Sequence, residues 1–312
     1  MKIAIPSSAY HKNFSSKLIH NFILLVRETC GQLNIECVDK DQENFEEFTK
    51  SDQKPFDVLI SMGFTALTPE LSEFYRHHDI RVILFQDDIH GKDDKDLRKK
   101  MKWMQFADTL LIPYYKNFLS RPEYIDCHSK AIDFPWFAPR SCFKHDRLWN
   151  DRKNKIIVSG CMASVYSLRR NLRELAGKAK CIDVLDHPGY KPRKRKHQII
   201  GDEYYNLLSE YKCATATSAD APLNYPLSKY FEIPACGCIG LFEQIEELSD
   251  FGFEKNKHYI SITKDDYQKA IIDISKNFDK LEGMATLCRK HILNNHTDAH
   301  RVRQLINIIN GL

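Results

Sequence analysis

Short apolar segments alternate with amphipathic segments along most of the chain, and this alternation restricts the fold more than any other sequence feature. The apolar segments have the length of buried strands, and the segments between them have apolar residues at helical spacing. A series of strand–helix–strand units predicts an α/β protein with mostly parallel sheets. The predicted strands are Lys2–Pro6, Asn34–Val38, Phe56–Ser61, Arg81–Phe85, Thr109–Pro113, Lys130–Phe134, Lys155–Val158, Cys181–Leu185, Cys213–Thr217, Cys238–Phe242 and Tyr259–Ile262.

The alternation is interrupted at Lys144–Asn154 (KHDRLWNDRKN), a charged stretch without periodicity that we interpret as a linker. In a chain of 312 residues, two βα series of similar size predict two Rossmann-like domains facing a central cleft. We expect an N-terminal domain over residues 1–145, a C-terminal domain over residues 155–290 and a terminal helix over residues 291–312.

Composition narrows the class of protein without naming a function. The net charge of +4 is modest for a dedicated nucleic-acid binder and suits a protein that handles an anionic small molecule. The apolar stretch Phe22–Val26 is far shorter than the roughly 20 residues of a membrane span, and the N-terminal apolar run is too short for a secretory signal. The ten cysteines occur without a CxxC pair, which is typical of reducing compartments, so we expect a cytoplasmic protein.

The most informative segment is Leu227–Leu241 (LSKYFEIPACGCIGL). Lys229 and Glu232 are three residues apart in a predicted helix and therefore share one face. The helix N-terminus and the Lys229 ammonium can bind a diphosphate, while the Glu232 carboxylate can accept two hydrogen bonds from a ribose. Gly237 ends the helix. The alternative is a surface helix with an ordinary Lys–Glu pair.

This segment resembles the donor-binding signature of the GT-B glycosyltransferases, and it is most similar to the branch of CgeB-like proteins and "glycosyl transferases group 1" domains. The resemblance covers Lys155–Leu312, whereas the first half of the chain matches only in its βα outline. The matching positions are Lys229, Phe231, Glu232, Ala235 and Gly237, together with Asn295–Arg301 (NHTDAHR), which resembles the terminal His-Thr…Arg element of that branch.

The resemblance implies transfer of a sugar from a nucleotide diphosphate sugar to an acceptor hydroxyl, without a metal cofactor. Lys229 and Arg169 would neutralise the leaving diphosphate, Glu232 would fix the ribose, and Tyr230 would be a further donor-binding residue. The terminal helix would pack back across the domains. Glu243 follows Glu232 at a wider spacing than the second glutamate of many GT-B enzymes, so we assign it no role.

A second candidate donor contact follows the strand Lys155–Val158. Ser159 and Gly160 can present backbone amides to a phosphate, and Arg169 in the next helix can pair with it, with Tyr166 nearby. The alternative for Arg169 is an ordinary solvated charge on a helix.

A third candidate lies where the strand Cys181–Leu185 ends. His187 and Tyr190 flank a Pro-Gly dipeptide there, in a loop that in GT-B folds lies near the base or ribose. Tyr190 can stack on a base, or the segment is only a turn.

The candidate catalytic residues lie in the first half. His11 follows the first strand in a loop without the glycine-rich fingerprint of dinucleotide oxidoreductases. Asp87 and Asp88 follow the strand Arg81–Phe85, where either can deprotonate an acceptor hydroxyl or cap the next helix. Two adjacent aspartates also suggest a metal site, but the GT-B outline and the lack of a third carboxylate argue against one.

The acceptor is the least determined part of the prediction. Lys191–His197 (KPRKRKH) is a basic run that can contact an anionic glycan or DNA, and it can equally be a solvated loop. This run keeps a second hypothesis open, namely a noncatalytic carbohydrate- or nucleic-acid-binding protein that has kept the fold. A nucleotide-sugar epimerase would require paired acids, which we cannot place.

Overall fold

The computed structural model describes residues 1–7, 17–38, 54–63, 67–89, 94–188 and 199–311. The chain divides into two compact units, Met1–Pro135 with Ala299–Leu312 and Trp136–Asp298. It therefore leaves the first unit after Pro135 and returns to it after Asp298. No helix in the described ranges has both the length and the apolar character needed to cross a membrane.

The first unit contains a parallel sheet. Its described strands are β1 (Lys2–Ala4), β2 (Glu36–Val38), β3 (Val58–Met62), β4 (Arg81–Phe85), β5 (Thr109–Ile112) and β6 (Ala131–Asp133), in the order β2-β1-β3-β4-β5-β6. All neighbouring pairs in this sheet are parallel. The helices between them are α1 (Lys17–Gln32), α2 (Pro69–His77), α3 (Asp94–Phe106) and α4 (Tyr115–Leu119), with a 3₁₀ segment at Pro122–Lys130.

The second unit contains another parallel sheet. Its strands are β7 (Lys153–Ser159), β8 (Ile182–Leu185), β9 (Tyr211–Ala216), β10 (Ile239–Glu243) and β11 (Tyr259–Ile262), in the order β11-β10-β9-β7-β8. Every described pair is again parallel. The helices are α5 (Ser167–Ala176), α6 (Asp202–Ser209), α7 (Lys229–Ala235), α8 (Tyr267–Ser275) and α9 (Glu282–Asn295), with 3₁₀ segments at Arg140–Lys144, Trp149–Asp151, Glu246–Ser249 and Phe278–Leu281.

The predicted α/β class is confirmed, with every predicted strand present in the described residues. The reason is physical, because strands of a parallel sheet are covered by helices on both faces and read as continuous apolar runs. Every residue of β3 and β5 is buried. The ends of the strands differ from the predicted ones by one or two residues, as is usual for element boundaries.

The boundary between the units lies upstream of the predicted linker. Lys144–Asn154 is part of the second unit, where Trp149 is buried in the core with Ile156 and Leu172. The Arg147 side chain donates hydrogen bonds to Ser209 and Asn206 of that unit. A single tryptophan among charged residues therefore anchors a stretch whose pattern resembles a solvated linker.

The two segments that connect the units pair with each other within the second unit. Ala138 forms a parallel bridge with Thr297, and the Asp298 carboxylate accepts a hydrogen bond from the Arg140 amide at 3.0 Å. The last helix, α10 (Asp298–Asn310), belongs to the first unit from Ala299 onward. There the buried Arg301 guanidinium donates to the Pro135 carbonyl at 2.8 Å.

Candidate functional site

The candidate site lies at the carboxyl ends of the strands in the second unit. β7 has β8 on one side and β9 on the other, so the chain builds the sheet outward in both directions from this point. Such a reversal of strand order creates the place where open α/β sheets bind ligands. Ser159 ends β7 and Thr217 directly follows β9, so the fold brings residues of both strands to the reversal point.

Gly160 forms the turn that follows β7. Its φ of +122° is a backbone conformation that side chains disfavour. A Cβ atom at this position would lie 2.8 Å from Nη1 of Arg169 and 3.0 Å from Nζ of Lys229. The missing side chain therefore leaves the Gly160 backbone directly against two positive groups that come from different helices.

Arg169 is buried on α5 and held by three hydrogen bonds. Its Nε donates to Oγ1 of Thr217 at 2.8 Å, its Nη2 donates to the Thr217 carbonyl at 2.6 Å, and its Nη1 donates to the Cys161 carbonyl at 2.8 Å. The guanidinium also lies 4.1 Å from the centroid of the Tyr166 ring. The neighbouring Arg170 is exposed, so only Arg169 of these two adjacent arginines faces the site.

Lys229 begins α7 and reaches the end of β7. Its Nζ donates to Oγ of Ser159 at 2.9 Å. Part of the side chain is still accessible, but protein atoms surround it closely, and desolvation followed by repulsion from Arg169 lowers the pKa of Lys229 to about 7. A bound anion between the two groups would reverse that effect, since an opposite charge favours the ammonium form.

Glu232 lies one turn further along α7 and is buried. Its two carboxylate oxygens accept hydrogen bonds from the Tyr205 hydroxyl at 3.1 Å and from the Ser228 hydroxyl at 3.2 Å. Burial raises the pKa of Glu232, while the charge of Lys229 and both hydrogen bonds act in the opposite direction. A carboxylate has about four acceptor positions, so capacity is left for ligand hydroxyl groups.

His187 lies close enough to the two cations to respond to them. Burial, followed by the charges of Lys229 and Arg169, lowers the pKa of His187 to about 4. The ring is therefore neutral at physiological pH and adds no third positive charge. Tyr190 lies outside the described residues, as does the basic run Lys191–His197.

Tyr230 differs from its predicted role as a donor contact. Its side chain is completely buried, and its ring packs 4.8 Å from that of Phe242 in the core. Adjacent helical residues point about 100° apart, so the residue after Lys229 faces the sheet when Lys229 faces the site. Phe231 likewise packs inward, against His296 of the terminal motif at 5.3 Å.

The amide groups at the start of α7 also differ from the expected arrangement. The amides of Tyr230, Phe231 and Glu232 donate to the carbonyls of Leu227 and Ser228, at 2.9–3.0 Å. They are occupied within the helix itself. The full positive charges at this end of the site are those of the Lys229 and Arg169 side chains.

Sequence reasoning missed the residues that hold the charged groups in place. These are Thr217, which binds Arg169, Tyr205 and Ser228, which bind Glu232, and Tyr204, whose hydroxyl lies 2.8 Å from Oγ of Ser159. Tyr204 and Tyr205 are adjacent in the sequence, but their partners are 45 and 27 positions away. No local pattern marks such contacts.

The first unit carries the predicted acidic pair after β4. The Asp88 carboxylate forms an ion pair with the buried Lys100 ammonium at 2.6 Å. The Asp87 side chain is exposed but lies close to many protein atoms, so desolvation, followed by repulsion from Asp88, raises the pKa of Asp87 to about 6. The geometry separates two residues that the sequence cannot distinguish. His11 lies outside the described residues.

No three His, Cys, Asp or Glu side chains in the described parts of the chain are grouped so that they could hold a metal ion.

Part of the chain is similar to a known protein family. Residues 164–307 match the glycosyl transferase-like family, a range that contains Arg169, Lys229 and Glu232. The matched range is slightly less than half of the chain and covers most of the second unit. Comparison with curated protein sequences found no match.

Solved structures of GT-B glycosyltransferases share the fold over the full length of the chain. HepE of Anabaena, in complex with UDP and glucose, is 10% identical, with a TM-score of 0.64 and 100% of each chain covered. Sucrose-phosphate synthase of Thermosynechococcus elongatus is 8% identical, with a TM-score of 0.67 and coverage of 100% of this chain and 98% of the other.

A third similar structure was solved with nucleic acid. It is an α-glucosyltransferase in complex with UDP-glucose and DNA containing an abasic site, 12% identical, with a TM-score of 0.64 and 99% of each chain covered. The predicted GT-B fold is confirmed, and the family match supports the predicted transfer of a sugar from a nucleotide sugar. The narrower resemblance to the CgeB-like branch stays a prediction.

The Gly160 turn gives a direct test of the candidate site. A Gly160→Ala substitution places a methyl group against Arg169 and Lys229 and displaces both. Because charge-assisted hydrogen bonds contribute about 1.5–3 kcal/mol each, we expect the dissociation constant for a nucleoside diphosphate, measured by calorimetry, to rise at least about tenfold. Gly177→Ala is the control, since Gly177 has an ordinary helical conformation and space for the methyl group. Unchanged affinity in Gly160→Ala would show that this turn does not face the ligand.

Proposed function

We propose that this protein transfers a sugar from a uridine diphosphate sugar to an acceptor hydroxyl, with the diphosphate bound by Lys229 and Arg169. The observation that carries the proposal is the convergence of these two cations on the backbone of Gly160, at the reversal point of the sheet. Uridine is chosen because the similar HepE and α-glucosyltransferase structures contain UDP or UDP-glucose.

The two cations suit the charge changes of the reaction. The bond between the sugar C1 and the diphosphate oxygen breaks, and its electron pair stays with the diphosphate, which gains negative charge. The acceptor oxygen forms the new bond to C1, and its proton leaves. Positive groups already aimed at the leaving oxygen stabilise the transition state without having to reorganise, and this is usually the largest contribution to catalysis.

Glu232 fits the ribose. Its carboxylate is buried, held by Tyr205 and Ser228, and located one helical turn from Lys229. A ribose diol supplies two hydroxyl donors to such a group. In a nucleoside diphosphate the ribose is directly attached to the diphosphate. Lys229 and Glu232, which lie one turn apart on one face of α7, can therefore bind these two adjacent groups of the donor.

Asp87 is the better candidate for the base that accepts the acceptor proton. Asp88 is neutralised by Lys100, whereas Asp87 is exposed and has a pKa of about 6, close to the working pH that favours a general base. His11 stays a second candidate from the sequence.

The proposal extends to metal, acceptor and location. We propose that Lys229 and Arg169 take the role that a divalent metal has in other glycosyltransferases. The acceptor is a glycan hydroxyl, and the basic run Lys191–His197 favours an anionic acceptor, including DNA. We propose a cytoplasmic location on the cysteine composition of the chain.

Donor binding is the first measurement. In a thermal-shift screen with nucleoside diphosphates and their sugars, a ligand at about 100 times its dissociation constant should stabilise the protein by about 2.7 kcal/mol.

Lys229→Met and Glu232→Gln should each raise the dissociation constant for UDP-sugar at least about tenfold, because each removes a charged partner. Arg170→Met is the matched control, since it removes an exposed charge from the helix that carries Arg169.

Two outcomes would contradict the proposal. One is donor affinity and turnover that are unchanged in both variants. The other is turnover that is lost on treatment with a chelator and restored by a divalent cation. Salt-dependent binding of DNA without any donor binding would favour a noncatalytic nucleic-acid-binding protein instead.

Donor binding should also take up a proton. The pKa of Lys229 is about 7 in the free protein and rises when the diphosphate binds, so affinity is highest below pH 7 and falls as the pH rises above it. A diphosphate esterified at both ends has no group that titrates near neutrality, His187 is already neutral, and Arg169 stays charged. Calorimetry with UDP-sugar near pH 8, in buffers of different ionisation enthalpy, should show uptake approaching one proton. If the binding enthalpy of Lys229→Met depends on the ionisation enthalpy of the buffer in the same way, the proton is taken up by another group.

The two aspartates should separate kinetically. Asp87→Asn removes the proposed base, so we expect kcat to fall by about 10²–10⁴-fold while donor affinity stays unchanged. Asp88→Asn removes the carboxylate that lies 2.6 Å from the buried Lys100 ammonium, so its main effect should be a lower melting temperature. If Asp87→Asn keeps wild-type turnover, the base is a different residue or the reaction does not use one.

A further inference from the structure

The tandem tyrosines of α6 are connected to two of the charged residues of the proposed donor site, Lys229 and Glu232. Tyr204 and Tyr205 are consecutive, so their side chains leave the helix about 100° apart and reach different neighbours. Tyr204 is connected to Lys229 through the Ser159 hydroxyl, and Tyr205 is hydrogen-bonded to Glu232. Neither tyrosine belongs to the segments that the sequence motif identifies.

Tyr204 acts on Lys229 by two routes. Its hydroxyl lies 2.8 Å from Oγ of Ser159, and the same Oγ accepts the hydrogen bond from Nζ of Lys229 at 2.9 Å. The Lys229 ammonium also lies 5.6 Å from the centroid of the Tyr204 ring, within the range of a cation–π interaction. Together they restrict a side chain whose four rotatable bonds would otherwise allow many positions.

Tyr205 acts on Glu232 alone. Its side chain is 2% exposed, and its hydroxyl donates to Oε1 of the carboxylate at 3.1 Å. Burial raises the pKa of Tyr205 far above its usual range, so the phenol keeps its proton and acts as a fixed donor. Ser228 holds the other carboxylate oxygen, so the orientation of the carboxylate plane is determined by two residues.

We propose that Tyr204 and Tyr205 are positioning residues with separate tasks, Tyr204 orienting Lys229 toward the diphosphate and Tyr205 orienting Glu232 toward the ribose. This inference rests on the proposed function. It adds that one short helix sets the distance between the phosphate-binding and ribose-binding groups. Loss of the Tyr204 hydroxyl should therefore weaken binding of the diphosphate, whereas loss of the Tyr205 hydroxyl should weaken binding of the ribose.

The test compares UDP with uridine in calorimetric and ligand-observed NMR titrations. Tyr204→Phe should raise the dissociation constant for UDP by roughly two- to tenfold, the effect of one hydrogen bond between neutral groups, here the Tyr204 and Ser159 hydroxyls, and change that for uridine less than about twofold. Tyr205→Phe should weaken both ligands by a similar factor, since both contain the ribose. Tyr211→Phe is the matched control, because it also removes a hydroxyl bonded to a carboxylate, that of Asp183, and should affect neither ligand.

A double-mutant cycle separates positioning from a general structural effect. In a Lys229→Met background, Tyr204→Phe should no longer change UDP affinity, because the group that it orients is gone. A structural role would persist in that background and would weaken UDP and uridine together, and this result would overturn the inference. Equal effects of Tyr204→Phe and Tyr205→Phe on the ratio of the dissociation constants for UDP and uridine would overturn it as well. Absence of UDP binding to the wild-type protein would overturn the proposed function and this inference with it.

Discussion

Two positive side chains, Lys229 and Arg169, are held against the same glycine, and the arrangement of the second unit follows from that constraint. Two positive charges that lie close together repel each other, and partial removal from water raises the free-energy cost of keeping both charged. The protein offsets this by giving each group its own acceptors, the Ser159 hydroxyl for Lys229 and Thr217 and Cys161 for Arg169. Desolvation, followed by repulsion from Arg169, still lowers the pKa of Lys229. A diphosphate bound as proposed would supply negative charge that balances both groups.

The topology of the sheet explains why these groups meet. Ser159 ends β7 and Thr217 follows β9, and these strands are neighbours although 51 residues of chain separate Ser159 from Tyr211, where β9 begins. All strands are parallel, so their carboxyl ends open at one edge of the sheet, and the helices that start there bring Arg169 and Lys229 to the same point. Gly160 is needed because its φ of +122° turns the chain at the closest approach of both cations.

The sequence predicts the sheets well and the site in part, for reasons that differ between residues. Buried parallel strands are apolar along their whole length, so runs such as RVILF of β4 are visible without any tertiary information. Lys229 and Glu232 are visible because helical spacing places them on one face. Tyr204, Tyr205 and Thr217 act only through partners distant in the chain, and Trp149 enters the core from a charged stretch. The sequence also cannot separate Asp87 from Asp88, because their difference is the position of Lys100.

The shortness of α7 explains why so many residues are needed to hold it. An isolated helix of seven residues is unstable in water, so its position depends on tertiary contacts. At its end, the carbonyls of Ala235 and Cys236 accept hydrogen bonds from the guanidinium groups of Arg289 and Arg152, where positive charge also complements the helix dipole. At its start, Ser159 and Tyr205 hold the charged side chains. A helix fixed at both ends cannot slide, and the spacing between Lys229 and Glu232 is therefore a property of the whole unit. Arg152 and Arg289, at the opposite end of the helix from Lys229, therefore contribute to the same geometry.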